Sequence, residues 1–574
     1  MKNGLIYFII VLILPFNLFC AQLKYLYFQG NKTFDNQELY EALGLKVPSI
    51  ILFWKKRVPK INPKTVPLLK ETLKGFYEVK GFYKAKISHT ENNDSITFHI
   101  IENSPVIVDS IEIKSDENIK NLILLKKGER FDADLFVKSK KNIKEKMLKE
   151  GFCSYDLNAK ALIDLQKNRA YLKFHLKKGG VCKFGKIKIE GLKSIDQKIV
   201  KTYLKFQEGD KYSIDKIKES YDALYSLGAF SLISIQEGPK INNIVDYIVK
   251  LKERKKKIRL KTGIGYETDL GPRAFFRWEE YNFRGNAKKL GFFLKYSNKE
   301  RIFKNDLFKP LLFSVNEYRF NLKNEAGYSF FDYNSYNEKK IFEKIHLFTN
   351  VKDSTYDFGL GIENIKIEEV QNLCNIKEGD FFLVYPFFEY EKDKRDSKTN
   401  PKKGYYLNSK IETGVKEIGS ETTYIKWKNE ARFIHTFENQ TTLALKGKIY
   451  LIKEIEKSLP SSKLFFGGGA YGNRAYGYKK LYATDAKCVD VGGKTMVETS
   501  VELDHPIYKK LVGALFWDST LLSKDSMDFS TDFVNAVGFG IRYLTQIGPI
   551  KIDMGFNVKD PSINAIHFLI GQSF

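Results

Sequence analysis

The feature that most constrains how this chain can fold is a change of hydrophobic period near residue 257. Before that point several segments repeat apolar residues at helical spacing. After it, alternation with a period of two and frequent turn residues continue to the C-terminus. Residues 533–543 are a clear example. One face of that segment carries Phe533, Val537, Phe539, Ile541 and Tyr543, and the other carries Val534, Ala536, Gly538, Gly540 and Arg542.

This alternation suits a sheet that has lipid on one side and a polar or packed interior on the other. Sixteen strands fit into residues 257–574 at about 20 residues each with their turns, above the roughly 9–11 residues that a membrane-spanning strand needs. Because lipid cannot satisfy the backbone groups of a free strand edge, we expect the sheet to close on itself. The sequence therefore predicts a 16-stranded antiparallel transmembrane β-barrel over residues 257–574.

Composition excludes a bundle of transmembrane helices, because the mean hydropathy is -0.34 and 29% of the residues are charged. Each such helix would need roughly 18 consecutive apolar residues. Only the N-terminus comes close, where Lys2 precedes an apolar run over residues 5–19 and the residues Cys20 and Ala21. This pattern predicts a secretory signal peptide over residues 1–21. A permanent anchor helix and a lipoprotein acylated at Cys20 are the alternatives, and the bulky Phe19 argues against the lipoprotein.

Residues 22–253 contain a unit that occurs three times. Each copy has a strand, two helices and two further strands (β-α-α-β-β), and its second helix ends at a glycine shortly before an aromatic residue. These glycines are Gly81, Gly151 and Gly228, and they predict modules over residues 22–104, 105–180 and 181–253. The predicted helical stripes are Val66, Leu69, Leu73 and Phe76; Ile143 and Met147; and Ile217, Tyr221 and Leu224.

The element order and the glycine positions resemble POTRA domains. The first copy departs from the pattern, because residues 47–54 replace the Gly-x-x-aromatic turn that the other two copies contain. The resemblance implies sheet edges that accept incoming strands, since an edge strand exposes unpaired N–H and C=O groups.

Two segments of the predicted barrel resemble the BamA/TamA superfamily of outer-membrane assembly factors. Residues 400–404, with Asp396 before them, are similar to the D...NP..G turn of that superfamily. Residues 263–273 are similar to the first strand and turn of TamA barrels. The motif residues of this first strand are Gly265, Tyr266, Asp269, Gly271, Pro272 and Arg273.

The most specific segment is residues 466–478, which resembles the superfamily's long sixth extracellular loop. In that family an Arg-Gly-Phe/Tyr core folds back from this loop into the barrel lumen. The core here is Arg474, Ala475, Tyr476 and Gly477, with alanine in place of the usual glycine. This replacement leaves the backbone angles at the tip open.

A buried guanidinium needs carboxylate partners to offset its desolvation. Two positions match the family's partners, Glu502 and Asp518, and alternation places Glu502 on the inner face of its strand. The alternative is that both are ordinary charges of the barrel interior.

The C-terminal strand resembles the signal by which outer-membrane barrels are themselves recognised for assembly. Its residues in that signal are Phe568, Ile570 and the terminal Phe574. An ordinary porin shares this feature, so it indicates location and not role.

Cysteine spacing and charge give weaker indications. Cys153, Cys182, Cys374 and Cys488 lie far apart without C-x-x-C spacing, which argues against a zinc site and a disulfide framework. One bridge between Cys153 and Cys182 stays open. The formal charge of +26 includes a basic run over residues 250–261, which would face lipid headgroups if it lies at a membrane surface. We expect solvated lysine-rich faces and no nucleic-acid partner.

Enzyme motifs are not convincing in this sequence. Residues 467–472 satisfy G-x-G-x-x-G, but no crossover helix or acidic residue follows at the required distance. Residues 493–495 imitate the end of a P-loop, yet Cys488 stands where its first glycine is needed. We therefore expect no catalytic residue, no metal site and no cofactor.

The resemblance implies an outer-membrane assembly or translocation factor, most like TamA, with its POTRA domains in the periplasm. Its implied partners are unfolded outer-membrane clients such as autotransporters, a TamB-like inner-membrane-anchored protein and outer-membrane lipid. The alternatives are a two-partner secretion transporter, which typically has two POTRA modules and a plug helix, and a passive porin.

Overall fold

The structure is a computed structural model. It describes residues 23–47, 58–267, 271–316, 318–333, 335–370, 376–398, 400–483, 491–508, 510–545 and 549–570. The predicted signal peptide, Asp269 and Phe574 lie outside these residues. The chain divides into two compact units, Met1–Ile187 with Phe206–Lys218 and Glu237–Tyr247, and Lys188–Lys205 with Glu219–Gln236 and Ile248–Phe574.

Module 1 is a four-stranded sheet with two helices. Its elements are β1 (Lys24–Gln29), α1 (Asn36–Ala42), β2 (Lys60–Ile61), α2 (Val66–Val79), β3 (Lys86–Glu91) and β4 (Ser95–Ile101). The strand order is β2-β1-β4-β3, with β1 parallel to β4. Asp35 and Glu38 form a capping box that starts α1. Of the predicted stripe on α2, Val66, Leu69 and Leu73 are buried, whereas Tyr77 and not Phe76 is its fourth fully buried residue.

Module 2 contains β5 (Ile107–Ser115), α3 (Ala133–Glu150), β6 (Asp156–Asp164) and β7 (Arg169–Lys177), in the sheet order β5-β7-β6. The first helix expected here is reduced to a 3-10 turn at Lys120–Leu122. Just after this turn the N–H of Leu124 donates to Ser139 Oγ on α3, at 2.9 Å, instead of to a helical carbonyl. Helix α3 ends at Gly151, whose φ of 99° is left-handed, as the sequence predicts.

Module 3 contains β8 (Lys183–Glu190), α4 (Gln197–Tyr203), α5 (Ile214–Ser226), β9 (Phe230–Ile241) and β10 (Ile244–Glu253), in the sheet order β8-β10-β9. The prediction that Tyr221 belongs to the buried stripe of α5 is wrong. Tyr221 is 43% exposed and stacks on Tyr225. Ser220 is buried instead, and its Oγ accepts the N–H of Lys205 at 2.7 Å.

A carboxylate holds the loop after the first strand in modules 1 and 3. In module 1, Glu102 accepts hydrogen bonds from Thr33 N and Thr33 Oγ1, at 3.0 and 2.6 Å. In module 3, Glu253 accepts from Ser194 Oγ at 2.6 Å and from three backbone N–H groups. These belong to Lys193, Ser194 and Ile195, at 2.7, 2.8 and 3.2 Å. These two loops are similar in sequence, QGNKTF at residues 29–34 and EGLKSI at residues 190–195, and both are stabilised by a carboxylate at or directly after the end of the last strand of the module.

Cys153 and Cys182 form a disulfide, with their Cα atoms 5.8 Å apart. Cys153 follows α3 of module 2, and Cys182 immediately precedes β8 of module 3. The possibility left open by the sequence is therefore realised at the passage from one module to the next. The N–H of Cys182 also donates to the carbonyl of Gly151 at 2.8 Å.

Residues 258–570 form one antiparallel sheet of sixteen strands in sequential order. The strands are β11 (Ile258–Glu267), β12 (Gly271–Tyr281), β13 (Lys289–Ser297), β14 (Glu300–Val315), β15 (Tyr318–Asp332), β16 (Asn337–Val351), β17 (Ser354–Glu368), β18 (Gly379–Asp393), β19 (Lys403–Gly414), β20 (Thr423–Thr436), β21 (Thr442–Glu456), β22 (Thr495–Tyr508), β23 (Leu511–Ser523), β24 (Val534–Tyr543), β25 (Ile550–Asn557) and β26 (Asn564–Ile570).

Burial follows the predicted alternation. On β24, Val537, Phe539 and Ile541 are about half exposed, whereas Ala536 and Arg542 on the other face are buried. The outer face is therefore apolar and the inner face holds small and charged residues, as expected of a sheet that faces lipid. No helix among the described residues is long and apolar enough to cross a membrane.

The structure differs from the predicted barrel in the closure of the sheet. No hydrogen-bonded ladder joins β11 to β26 within the described residues, although Cα atoms of the two strands approach within 8 Å. Strand β26 has only seven residues, and residues 571–574 lie outside the described part of the chain. Within the described residues the sheet is therefore not closed by a ladder, and we call the junction between its first and last strands the seam.

Candidate functional site

The candidate site is the connection between β21 and β22, which we call the inner loop and of which the structure describes residues 457–483 and 491–494. It begins with a 3-10 turn at Ser461–Lys463, and Gly468 and Gly469 have positive φ values of 89° and 96°. A side chain at Gly468 would meet the backbone of Gly477, so the segments before and after Arg474 pack closely against each other. This packing brings Arg474 to the inner face of the sheet.

Arg474 is buried among the carboxylates that the sequence predicts for it. Its Nε and Nη2 donate to the two oxygens of Asp518 on β23, at 2.8 and 2.9 Å, and its backbone N–H donates to Asp518 at 3.0 Å. Its Nη1 donates to Glu502 on β22. The guanidinium carbon lies 3.4 Å from the centre of the Phe516 ring, a cation–π distance. The structure thus brings Arg474, Glu502 and Asp518 together.

Residues that the sequence did not indicate complete this cluster. Asp553 on β25 lies 3.4 Å from Arg474 and also binds Arg542 of β24. Arg542 Nη2 lies 3.1 Å from Glu502, and Lys551 Nζ lies 3.6 Å from the same carboxylate. Three buried cations therefore meet three buried carboxylates, which limits the cost of removing these charges from water. Alternation could place Arg542 on the inner face, but it could not pair it with Asp553.

The other residues of the predicted loop core have separate contacts. Ala475 is buried and does not adopt a positive φ, so alanine fits where the family usually has glycine. The hydroxyl of Tyr476 accepts a hydrogen bond from Asn557 on β25 at 2.8 Å. The backbone of Arg474 lies against Gly555, where an added Cβ would collide with it.

The inner loop also touches the last strand. His567 on β26 donates from Nε2 to the carbonyl oxygen of Arg474 at 3.1 Å. The next residue, Phe568 of the predicted C-terminal signal, is 47% exposed and lies on the outer face. Ile570 pairs with Ile550 through the backbone. The sequence contains no local signal for the His567 contact, because it joins positions 93 residues apart.

The predicted first-strand motif lies in the β11–β12 hairpin. Gly265 pairs with Arg273 and Tyr266 pairs with Pro272, and Gly271 has a left-handed φ of 70° at the turn. In the second predicted turn, Asp396 accepts the N–H of Lys402 at 2.9 Å. Among the described residues, no group of three or more His, Cys, Asp or Glu side chains is placed to hold a metal ion.

Comparisons with known proteins agree with this architecture. A model described as the Omp85 superfamily domain matches residues 282–574. A POTRA model, described as a surface antigen variable number repeat, matches residues 23–103, 105–179 and 182–254. The outer membrane protein assembly factor BamA of Nitratidesulfovibrio vulgaris is 21% identical over 515 residues, which cover 85% of this chain and 65% of the relative. The chain thus spans about two thirds of that relative's length.

A solved BamA structure shows the same fold. The crystal structure of BamA from Haemophilus ducreyi lacking POTRA domains 1-3 aligns with a TM-score of 0.58 and 17% identity, covering 81% of this chain and 99% of that chain. CdiB from Acinetobacter baumannii aligns with a TM-score of 0.45 and 14% identity, covering 82% of this chain and 91% of that chain.

Proposed function

Because the chain belongs to the Omp85 superfamily, we propose that it is an outer-membrane assembly or translocation factor of the TamA kind. The barrel lies in the outer membrane and the POTRA repeats lie in the periplasm. In this proposal POTRA edges receive unfolded client strands, such as those of autotransporters. The barrel then inserts or exports the client through its seam, without making or breaking a covalent bond.

The seam is the observation that carries the proposal. Each of the other neighbouring pairs in the sheet is joined by an antiparallel ladder, whereas β11 and β26 lack one in the described residues. An edge without a partner offers N–H and C=O groups to which another strand can add. In lipid these groups are costly to leave unsatisfied, so pairing with a client strand is favourable.

The contacts of the inner loop support the proposal that the opening of the seam is controlled. Its Arg474 binds carboxylates on β22, β23 and β25, and its backbone accepts a hydrogen bond from β26. In our proposal these contacts hold the last strands in a defined position while β26 exchanges partners. A passive pore needs no such connection between a loop and its terminal strand.

The POTRA sheets offer further edges. The sheet orders leave β3, β6 and β9 at one edge of modules 1, 2 and 3, respectively. Strand β9 has twelve residues, and most of its side chains are exposed or half-buried. We propose that such edges hold client strands before insertion, and that a TamB-like partner and outer-membrane lipid take part.

Depletion of the protein from living cells tests the proposal. We expect a set of outer-membrane proteins, autotransporter-like clients among them, to disappear from the outer membrane while their transcripts persist. Loss of a single secreted exoprotein would instead indicate two-partner secretion. An unchanged outer-membrane proteome with reduced solute permeability would indicate a passive porin, and either result would overturn the proposal.

A further inference from the structure

A second cation of the inner loop, whose side chain is only 11% exposed, contacts a different part of the sheet. Lys463, at the end of the 3-10 turn, places its Nζ 2.7 Å from Glu363 on β17 and 3.7 Å from Glu412 on β19. The same ammonium lies 4.4 Å from the centre of the Tyr385 ring on β18. These contacts are separate from those of Arg474, which lie on β22, β23 and β25.

Both carboxylates are held in place by tyrosines. Tyr385 donates its hydroxyl hydrogen to Glu363 at 2.6 Å, and Tyr424 on β20 donates to Glu412 at 3.2 Å. Glu363, Tyr385 and Tyr424 are almost fully buried. The acceptor oxygens are therefore fixed by the wall, and Lys463 enters a prepared position.

The loop backbone is held at the same place. Lys426 on β20 donates from Nζ to the carbonyl oxygen of Lys463 at 2.6 Å. Its ammonium also lies 5.0 Å from the centre of the Phe465 ring, two residues further along the loop. Side chain and main chain of the turn are thus bound to the strands β17 to β20. An apolar residue at position 463 would keep the backbone contact with Lys426, but it could not pair with Glu363 and Glu412.

We infer that Lys463 is a second positioning residue of the inner loop, and that it sets where the Arg474 core can reach. Arg474 lies eleven positions after Lys463, a span of at most about 40 Å for an extended chain. A loop fixed at Lys463 therefore presents Arg474 to the β22–β25 wall at a high local concentration. The functional part of this inference rests on the proposed role in client assembly.

The substitution Lys463→Met tests the inference, because methionine keeps the length of the side chain and removes its charge. The matched control is Lys457→Met in the same loop. Lys457 is exposed and has no ion pair in the described part of the chain. Lys463→Arg is the conservative variant, which keeps a cation between the two carboxylates. All variants are made in the full chain and purified in detergent.

Hydrogen exchange of residues 458–483 is the structural measurement. We expect Lys463→Met to raise exchange around the turn by about tenfold or more, because it removes a buried charged partner. Lys463→Arg and Lys457→Met should exchange like the wild type. Wild-type protection of the turn in Lys463→Met would overturn the inference.

Client insertion in cells is the functional measurement. We expect Lys463→Met to lower it and Lys463→Arg to restore it. A loosened turn with full insertion in Lys463→Met, while Arg474→Lys blocks insertion, would overturn the positioning role. A loosened turn with full insertion in both variants would support Lys463 as the residue that holds the turn, but it would overturn the proposed function.

Lys463→Met leaves two buried carboxylates with one cation fewer, which could prevent the chain from folding. The triple variant Lys463→Met, Glu363→Gln and Glu412→Gln removes these charges together. We expect it to fold, as judged by heat-modifiable migration on gels, and to show the same loosened turn. A folded triple variant with wild-type protection of the turn would overturn the inference.

Discussion

Arg474 and Asp518 form a buried, two-pronged ion pair, with Nε–Oδ2 and Nη2–Oδ1 distances of 2.8 and 2.9 Å. The planar guanidinium matches the two carboxylate oxygens, and the backbone N–H of Arg474 adds a third hydrogen bond to the same carboxylate. A lysine could contact these oxygens only as a point charge. The pair therefore fixes the direction of the inner loop as well as its position.

We predict that Arg474→Ala leaves the barrel folded and impairs client assembly. The substitution removes a buried partner of Asp518 and Glu502, a loss of about 3–5 kcal/mol in comparable buried pairs. The sixteen-stranded ladder does not depend on this contact, so heat-modifiable migration should persist. Surface levels of autotransporter-like clients are the measurement.

Arg474→Lys should impair assembly to a similar extent, since it cannot restore the two-pronged geometry. The matched control is Arg432→Lys on β20, where the arginine binds its neighbour Glu430 and lies 5.3 Å from the centre of the Tyr406 ring, contacts that a lysine can also make. Normal client levels in both Arg474 variants would contradict the role proposed for the loop.

A glycine on the barrel wall provides an independent test of the loop position. We predict that Gly555→Ala displaces the inner loop, because the added Cβ would lie 2.5 Å from the carbonyl carbon of Arg474 and 2.9 Å from Ala475 N. Overpacking of this kind costs about 1–3 kcal/mol. Hydrogen exchange of residues 466–483 should rise and client assembly should fall.

The control for this prediction is Gly447→Ala on β21, where an added Cβ meets no atom within 4 Å. We expect it to behave like the wild type. Equal exchange in the two alanine variants would show that the loop does not pack against β25 in the membrane protein.

The sequence was most informative where the environment of a strand imposes a regular spacing on its apolar residues. Lipid on one side forces alternation, so the number of strands and the inward side of Glu502 could be predicted from the pattern. Pattern and resemblance together also identified Asp518 as a partner of Arg474. They could not identify Asp553 or Lys551, because such pairings depend on how neighbouring strands are registered and on the path of a loop.

Other differences arise where one side chain replaces a regular backbone contact. Module 2 lacks its first full helix, and Ser139 on α3 takes the N–H of Leu124 there. Lys463 and Glu363 meet across 100 positions (463 − 363 = 100), so no local pattern contains that pair. Closure could not be judged from alternation either, because the pattern predicts which face is apolar and not which edges pair.

In module 3 we predict a stability contribution from Glu253 that depends on pH. Burial would raise the pKa of this carboxyl, but hydrogen bonds from Ser194, Lys193 and Ile195 outweigh it and hold the pKa below its ordinary value of 4.5. A depressed folded-state pKa stabilises the fold above the unfolded pKa, and this contribution is lost as the pH falls through the folded value. Glu253→Gln should therefore destabilise the module at neutral pH.

We expect a loss of roughly 1 kcal/mol for this half-exposed carboxylate. Thermal loss of the helical dichroism signal in detergent measures it, because the α-helices of the described residues lie in the modules. The difference from the wild type should shrink as the pH falls below 4.5. The exposed control Glu208→Gln should unfold like the wild type. A difference that grows in acid would contradict the assigned sign.

The disulfide between Cys153 and Cys182 should stabilise the passage from module 2 to module 3. It closes a segment with a sequence separation of 29 residues, for which chain entropy predicts a contribution of roughly 3–4 kcal/mol. We expect the Cys153→Ser and Cys182→Ser double variant to lose its helical signal at a lower temperature than the wild type. Reductant should lower the wild-type midpoint toward that of the double variant and leave the double variant unchanged. A wild type that is insensitive to reductant and matches the double variant would mean that the bridge adds nothing beyond the hydrogen bond from Cys182 to Gly151.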